Sequence, residues 1–176
     1  PTPRHPTPDS CVFGSLLQSL CATSSRKLGR LGGYGAGMAA FPFTSALVTG
    51  ASSGIGAEMA DQLGRAGVPT VLVARRGDKL REIADRFDGF SVLEADLGSG
   101  AGQDAVMARI SLLDDPIDLV VNNAGFGTSG QFAELDADRA GDEVELNVKA
   151  LTRISNAALR VMAARGSGYL LNVSSV

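Results

Sequence analysis

Residues 47–60 read LVTGASSGIGAEMA. An aliphatic run ends in threonine and glycine, a turn of small residues follows, and the chain resumes with helix-forming residues. That order is strand, turn, helix. Glycines stand at 50, 54 and 56, and each has a mechanical task in such a turn. Gly50 allows the tight turn off the strand, Gly54 lets backbone approach a phosphate, and Gly56 permits close packing of helix on strand. The first N–H groups of the following helix have no intrahelical acceptor and carry the positive end of its dipole, so they face an anion. Ser52, Ser53 and Ile55 complete the turn and belong to the same expected binding set.

Outward from this stretch the pattern is regular. Short β-branched or aliphatic runs, SALVTG, TVLVARR, FSVLEAD, IDLVVNN and YLLNVSS, alternate with longer segments of helical period. Runs that are apolar on both faces suit strands buried between helix layers in a parallel sheet. Ile55, Met59 and Leu63 recur at helical spacing, and so do Leu80, Ile83, Ala84 and Phe87. A long helix is expected from about Asp136, a good cap, to Ala164, before the glycines of RGSG. The alternation predicts an α/β fold: a Rossmann-like doubly wound parallel sheet with helices on both faces, five strands present and its C-terminal part missing.

Composition narrows the classes of function. The 176 residues are 44% hydrophobic, enough for one domain with a core. Residues 1–43 hold four of the 16 Lys and Arg against one acid, which leaves residues 44–176 acidic. An acidic domain without a basic stripe gives no electrostatic footprint for nucleic acid. Both cysteines, Cys11 and Cys21, lie in residues 1–43, so a reducing, cytoplasmic compartment is expected. The single histidine, His5, leaves no Ser-His-Asp triad or multi-histidine metal site. No run approaches the ~20 apolar residues of a membrane span. Residues 1–43, with a Pro/Thr opening and no sustained periodicity, read as a leader or extension. Residues 44–176 read as a partial dinucleotide-binding domain.

The second strand ends in Ala74, Arg75 and Arg76, near the adenosine ribose in a dinucleotide fold. An acid there accepts from the 2′-hydroxyl, whereas guanidinium groups suit a 2′-phosphate by charge and by forked donors. NADP(H) is therefore favoured over NAD(H). After the third strand come Asp96 and Leu97. The fourth ends in Asn122, Asn123, Ala124 and Gly125, whose amides can tie strand ends together and whose small pair lets a ribose lie against backbone. Asn147 lies inside the long helix, a place for which asparagine is a mediocre choice.

Together these stretches resemble the short-chain dehydrogenase/reductase family, whose motif T-G-x-x-x-G-x-G is matched by Thr49, Gly50, Gly54 and Gly56, and whose N-N-A-G is matched at 122–125. The resemblance implies that Asp96 accepts from the adenine amino group with help from backbone beside it. It implies that Asn147 holds a relay water through its carbonyl, often at a local distortion of the helix. Ser175, with Ser174 as the backup, resembles the serine that orients the substrate oxygen. The implied activity is NADP-dependent hydride transfer to or from a small carbonyl or secondary alcohol. The proton-transferring Y-x-x-x-K does not occur: Met38 and Val173 stand four residues after Tyr34 and Tyr169. The chain is therefore expected to be truncated before that motif and inactive alone, with a non-catalytic nucleotide-binding or regulatory fragment as the second reading. In relatives the long helix serves a dimer, which implies a homo-oligomer for a full-length form, although such a stripe also serves as core.

Overall fold

The computed structural model describes residues 41–174. Most of the extension expected over residues 1–43 lies outside them, as do His5, Cys11, Cys21, Tyr34 and Ser175. From Phe43 onward the elements run β1 (Ala46–Thr49), α1 (Gly54–Arg65), β2 (Thr70–Ala74), α2 (Gly77–Ala84), β3 (Ser91–Glu94), α3 (Gly100–Ile110) and β4 (Leu119–Asn122). A 3-10 turn (Phe132–Glu134), α4 (Ala137–Val144), a π-helical segment (Glu145–Ala150), α5 (Leu151–Arg165) and β5 (Tyr169–Asn172) follow.

All five expected strands form, and they make one parallel sheet in the order β3-β2-β1-β4-β5. The chain starts in the middle, runs outward to β3, then returns to the other side of β1. This reversal opens a crevice between the carboxyl ends of β1 and β4, where loops must diverge to opposite faces. The fold is the doubly wound α/β sheet expected. Burial differs between centre and edges: β1 and β4 are buried throughout and β2 nearly so, while Ser91 and Glu94 of β3 and Asn172 of β5 are exposed. Among the described residues the edge strands have a neighbour on one side only, so their ends meet solvent.

Helix α1 shows why packing matters more than propensity here. Its interior glycines, Gly56 and Gly64, each cost about 1 kcal/mol relative to alanine. Burial of Met59 and Leu63 contributes roughly 1.5–3 kcal/mol for each side chain. Ile55, expected on the same face, is instead 43% exposed. It sits in the first turn, where the helix has only begun to approach the sheet, and the buried stripe starts at Gly56. On α2, Leu80 is fully buried while Ile83 and Ala84 are half-buried; Phe87 lies beyond the helix end and packs its ring against Gly64.

The long helix begins as expected, with Asp136 Oδ1 accepting from the N–H groups of Asp138 (2.8 Å) and Arg139 (3.1 Å). It ends at Gly166, where the Ser167 N–H returns to the Met162 carbonyl at 3.1 Å. The residues between do not form one uniform α-helix, because Glu145–Ala150 widens into π-helical turns. One buried polar residue ties the layers together. Gln103, wholly buried on α3, donates to the Leu97 carbonyl and to Glu145 Oε1, both at 3.0 Å, and accepts from Arg153 at 2.7 Å. With every polar atom of its amide engaged, its burial carries no desolvation penalty for a missing partner. Among the described residues no helix is long and apolar enough to cross a membrane.

Two glycines of α3 give a direct test of this packing. A Cβ on Gly102 would lie 2.0 Å from the Asp96 carbonyl oxygen, and backbone cannot yield as a side chain can. Gly100 has open space. Gly102→Ala is expected to lose about 1–3 kcal/mol of stability, and Gly100→Ala to gain roughly 0.5 kcal/mol, both read from urea unfolding curves.

Candidate functional site

The crevice between β1 and β4 is closed at its base by one hydroxyl. Thr49, the last residue of β1, is 1% exposed. Its Oγ1 donates to the Val121 carbonyl (3.2 Å) and accepts from the N–H groups of Asn123 (2.9 Å) and Ala124 (3.0 Å). Asn123 answers from the other side, its Nδ2 donating to the Thr49 carbonyl at 3.0 Å. The ends of the two strands are thus locked where the chain must leave the sheet. Thr49 belongs to the glycine motif, yet reading glycines for their phosphate role gave no reason to single out its side chain.

Above this lock the glycine-rich turn takes its shape. Gly50 has φ +66°, a left-handed conformation, and a Cβ there would sit 2.9 Å from both the Ala124 Cα and Asn123 Nδ2. Gly56 lies so close to the turn that a Cβ would meet the Gly50 carbonyl oxygen at 2.4 Å. Its tight approach is to the turn and Asn123 rather than to the strand itself. Gly54 is also left-handed, with nothing within 4 Å of a Cβ position. Ser53 precedes α1 without capping it, and the first turn of that helix carries no acid. The leading N–H groups are therefore left for an external acceptor.

Beside the turn lies a groove of about 180 Å³, lined by Ser52, Ser53, Ala74, Arg75, Arg76, Ala95, Asp96, Leu97, Ala124, Gly125 and Leu146. Eight of the expected site residues are brought together there. Their contributions differ. The Arg76 guanidinium donates to Ser52 Oγ (3.0 Å) and Ser53 Oγ (3.1 Å). One carboxylate oxygen of Asp96, Oδ1, accepts from the Gly98 N–H at 3.0 Å, which shapes the loop after β3. Leu97 is 5% exposed and part of the hydrophobic core, so it presents mainly backbone to the groove.

The remaining expected residues lie around this groove. Asn122 is 4% exposed beneath it, donating from Nδ2 to Ser155 Oγ and to Asn172 Oδ1, both at 2.9 Å. It ties β4 to β5 and to α5; Ser155, its partner, had no distinguishing signal in the sequence. Asn147 sits in the π-helical segment, half-buried, and its amide grips one peptide twice: Oδ1 accepts from the Phe126 N–H (3.1 Å) and Nδ2 donates to the Phe126 carbonyl (2.7 Å). The loop after β4 is held further by Glu143, which accepts from the Thr128 N–H (3.0 Å) and hydroxyl (2.6 Å), and by Arg139, stacked 3.9 Å over the Phe126 ring. Ser174 is exposed just past β5, whose path beside β4 is continued by a bond from the Val173 N–H to the Asn122 carbonyl at 2.9 Å. Tyr169 opens β5 at the other end of the sheet, edge-on to Phe43 with ring centres 5.8 Å apart, roughly 17 Å along the strand from Ser174. It has no place in the crevice.

Charge also supports the widened turn. The Lys149 ammonium bonded to Glu145 at 3.0 Å, followed by the Gln103 amide, holds the Glu145 carboxyl below the usual carboxylate range. A depressed carboxylate contributes stability above its unfolded pKa, and that contribution is lost as pH falls through the folded value.

The Thr49 lock is testable by an isosteric change. Thr49→Val keeps the shape but strands two N–H groups, and is expected to lose about 2 kcal/mol or more. Thr49→Ser keeps the hydroxyl and loses only a buried methyl, about 1 kcal/mol. Equal losses in denaturant unfolding would show that the hydroxyl does not matter.

Residues 44–176 match the family model described as short chain dehydrogenase. An uncharacterized oxidoreductase of Staphylococcus haemolyticus is 34% identical over 133 residues, covering 74% of this chain and 58% of that protein. Among solved structures, a bulky-bulky ketone specific alcohol dehydrogenase from Comamonas testosteroni superposes with a TM-score of 0.72 at 36% identity, covering 76% of this chain and 55% of the other. A short-chain dehydrogenase from Sphingobium yanoikuyae in complex with NADPH gives a TM-score of 0.72 at 37% identity, covering 75% and 54%. The chain therefore spans somewhat over half the length of the relatives it matches. Sheet order, the glycine turn at the crevice and the match over residues 44–176 agree, and the chain belongs to the short-chain dehydrogenase family.

Proposed function

We propose that residues 44–176 form the nucleotide-binding part of an NADP-dependent oxidoreductase acting on a small carbonyl or secondary alcohol. The observation that carries this reading is the groove itself, which joins the glycine turn, two arginines and Asp96 at the reversal of strand order. Ligands of doubly wound sheets bind at this reversal.

The residues fit a dinucleotide phosphate by chemistry. The uncapped start of α1 offers backbone donors to the pyrophosphate. Arg75 is exposed on the groove and supplies charge for a 2′-phosphate, with no acid at the end of β2 to repel it. Asp96 keeps Oδ2 for an amino group on the adenine side, and Ala124 and Gly125 leave room for a ribose against backbone. The NADPH complex of the Sphingobium relative is in keeping with this choice of cofactor. When bound, the nicotinamide would supply the hydride.

The chain's other residues serve position. Asn147 fixes the loop after β4 that borders the crevice, and its backbone carbonyl is the proposed water site that the family resemblance implies. Ser175 would offer a hydroxyl to a substrate oxygen, with Ser174, the residue before it and exposed just past β5, as the backup. With no tyrosine four residues before a lysine, the 176 residues alone are proposed to bind nucleotide without turnover.

The test is nucleotide titration of the 176-residue chain, followed by cofactor fluorescence. NADPH is expected to bind at least about tenfold more tightly than NADH, and Arg75→Ala to remove most of that preference, since a hydrogen-bonded ion pair to phosphate is worth roughly 1.5–3 kcal/mol. Equal affinity for both nucleotides in the wild-type chain would refute the NADP assignment.

A further inference from the structure

Arg75 and Arg76 are neighbours at the end of β2, yet their surroundings differ. The guanidinium of Arg76 spans to the glycine-rich turn and donates to both Ser52 Oγ and Ser53 Oγ. The exposed Arg75 side chain makes no hydrogen bond or ion pair among the described residues. Arg76 is itself anchored, because its carbonyl accepts from the Leu80 N–H at 3.2 Å as α2 begins. The result is a brace from the β2–α2 junction to the β1–α1 turn, joining residues 23 positions apart. Ser53 has no capping bond to α1, so its side chain is held from outside the helix it precedes. A hydroxyl that accepts from a guanidinium also keeps its proton for donation elsewhere.

We propose that Arg76 is a positioning residue: it sets the turn at Ser52 and Ser53, and with it the start of α1, for the phosphates common to NADPH and NADH. Arg75 alone reads the 2′-phosphate. This division of labour rests on the nucleotide reading above, and it differs from two arginines sharing one phosphate. A brace acts on whatever the turn holds, so its loss weakens both nucleotides alike, whereas loss of a phosphate ligand weakens only the nucleotide that has the phosphate.

The experiment titrates NADPH and NADH into the 176-residue chain and its Arg75→Ala, Arg76→Ala and Arg76→Lys variants. Arg76→Ala is expected to weaken both nucleotides by a similar factor, about threefold to tenfold, leaving their ratio unchanged. Arg76→Lys restores neither, because its ammonium sits on a shorter side chain and falls short of the two hydroxyls that the single Nη2 of Arg76 reaches together. Arg75→Ala weakens NADPH alone. A loss in Arg76→Ala confined to NADPH and restored by lysine would make Arg76 a phosphate ligand and overturn the proposal; unchanged binding of both nucleotides would overturn it as well. If the wild-type chain binds neither, the nucleotide reading fails and the brace falls with it. Circular dichroism checks the fold, and should Arg76→Ala lose it, Arg76→Lys decides: uniform weakening supports the brace and retained NADPH binding overturns it.

Discussion

A parallel sheet entered at its middle strand has a fork where the chain leaves β1 on one side and β4 on the other. The site depends on that fork staying closed at its base and open above. The Thr49 hydroxyl does the closing, with three hydrogen bonds from a position almost without solvent. Because it both donates and accepts, it satisfies groups on either side of a gap that the backbone ladder cannot bridge once the strands diverge. The close approach of Gly56 to the Gly50 carbonyl, and the reach of Asn123 back to β1, presuppose that distance.

From this base the groove is built by convergence rather than by any one loop. The turn after β1, the ends of β2 and β3, and the small residues after β4 each contribute a wall. Leu146 completes it from the π-helical segment, so the helix that follows β4 belongs to the site as well as to the core. Polar residues within the fold tie elements together, although the buried Asn122 Oδ1 has no hydrogen-bond partner among the described residues. Gln103 joins α3 to the π-helical segment and to α5, and Asn122 joins β4 to β5 and to α5.

Much of this was legible in the residues because buried parallel strands must be apolar on both faces, and few other segments are. The five runs became the five strands, and the cap at Asp136 and the stop at Gly166 bounded the long helix. Exposure at the edges of the sheet was not legible, since it depends on which strand has one neighbour rather than on its own composition. Ile55 was misplaced for a related reason: a helical period shows which residues share a face, but not where along that face contact with the sheet begins. Of the site, the glycines and the arginine pair stood out because their chemistry is unusual at a strand end. The difference between Arg75 and Arg76 did not, because it depends on two serines more than twenty residues earlier.

The widened turn at Glu145–Ala150 has a further consequence. Arg139, Glu143 and Asn147, at steps of four, hold the loop after β4, while Ala150, Ile154, Ala158 and Met162, again at steps of four, fill the core. The step from Asn147 to Ala150 is three and falls within the π-helical segment, whose wider turns rotate less per residue than an α-helix, so this segment sets the angle between a gripping face and a packing face. Each residue of an α-helix turns by about 100°, so a chain one residue shorter here could keep its core or its hold on the loop, but not both.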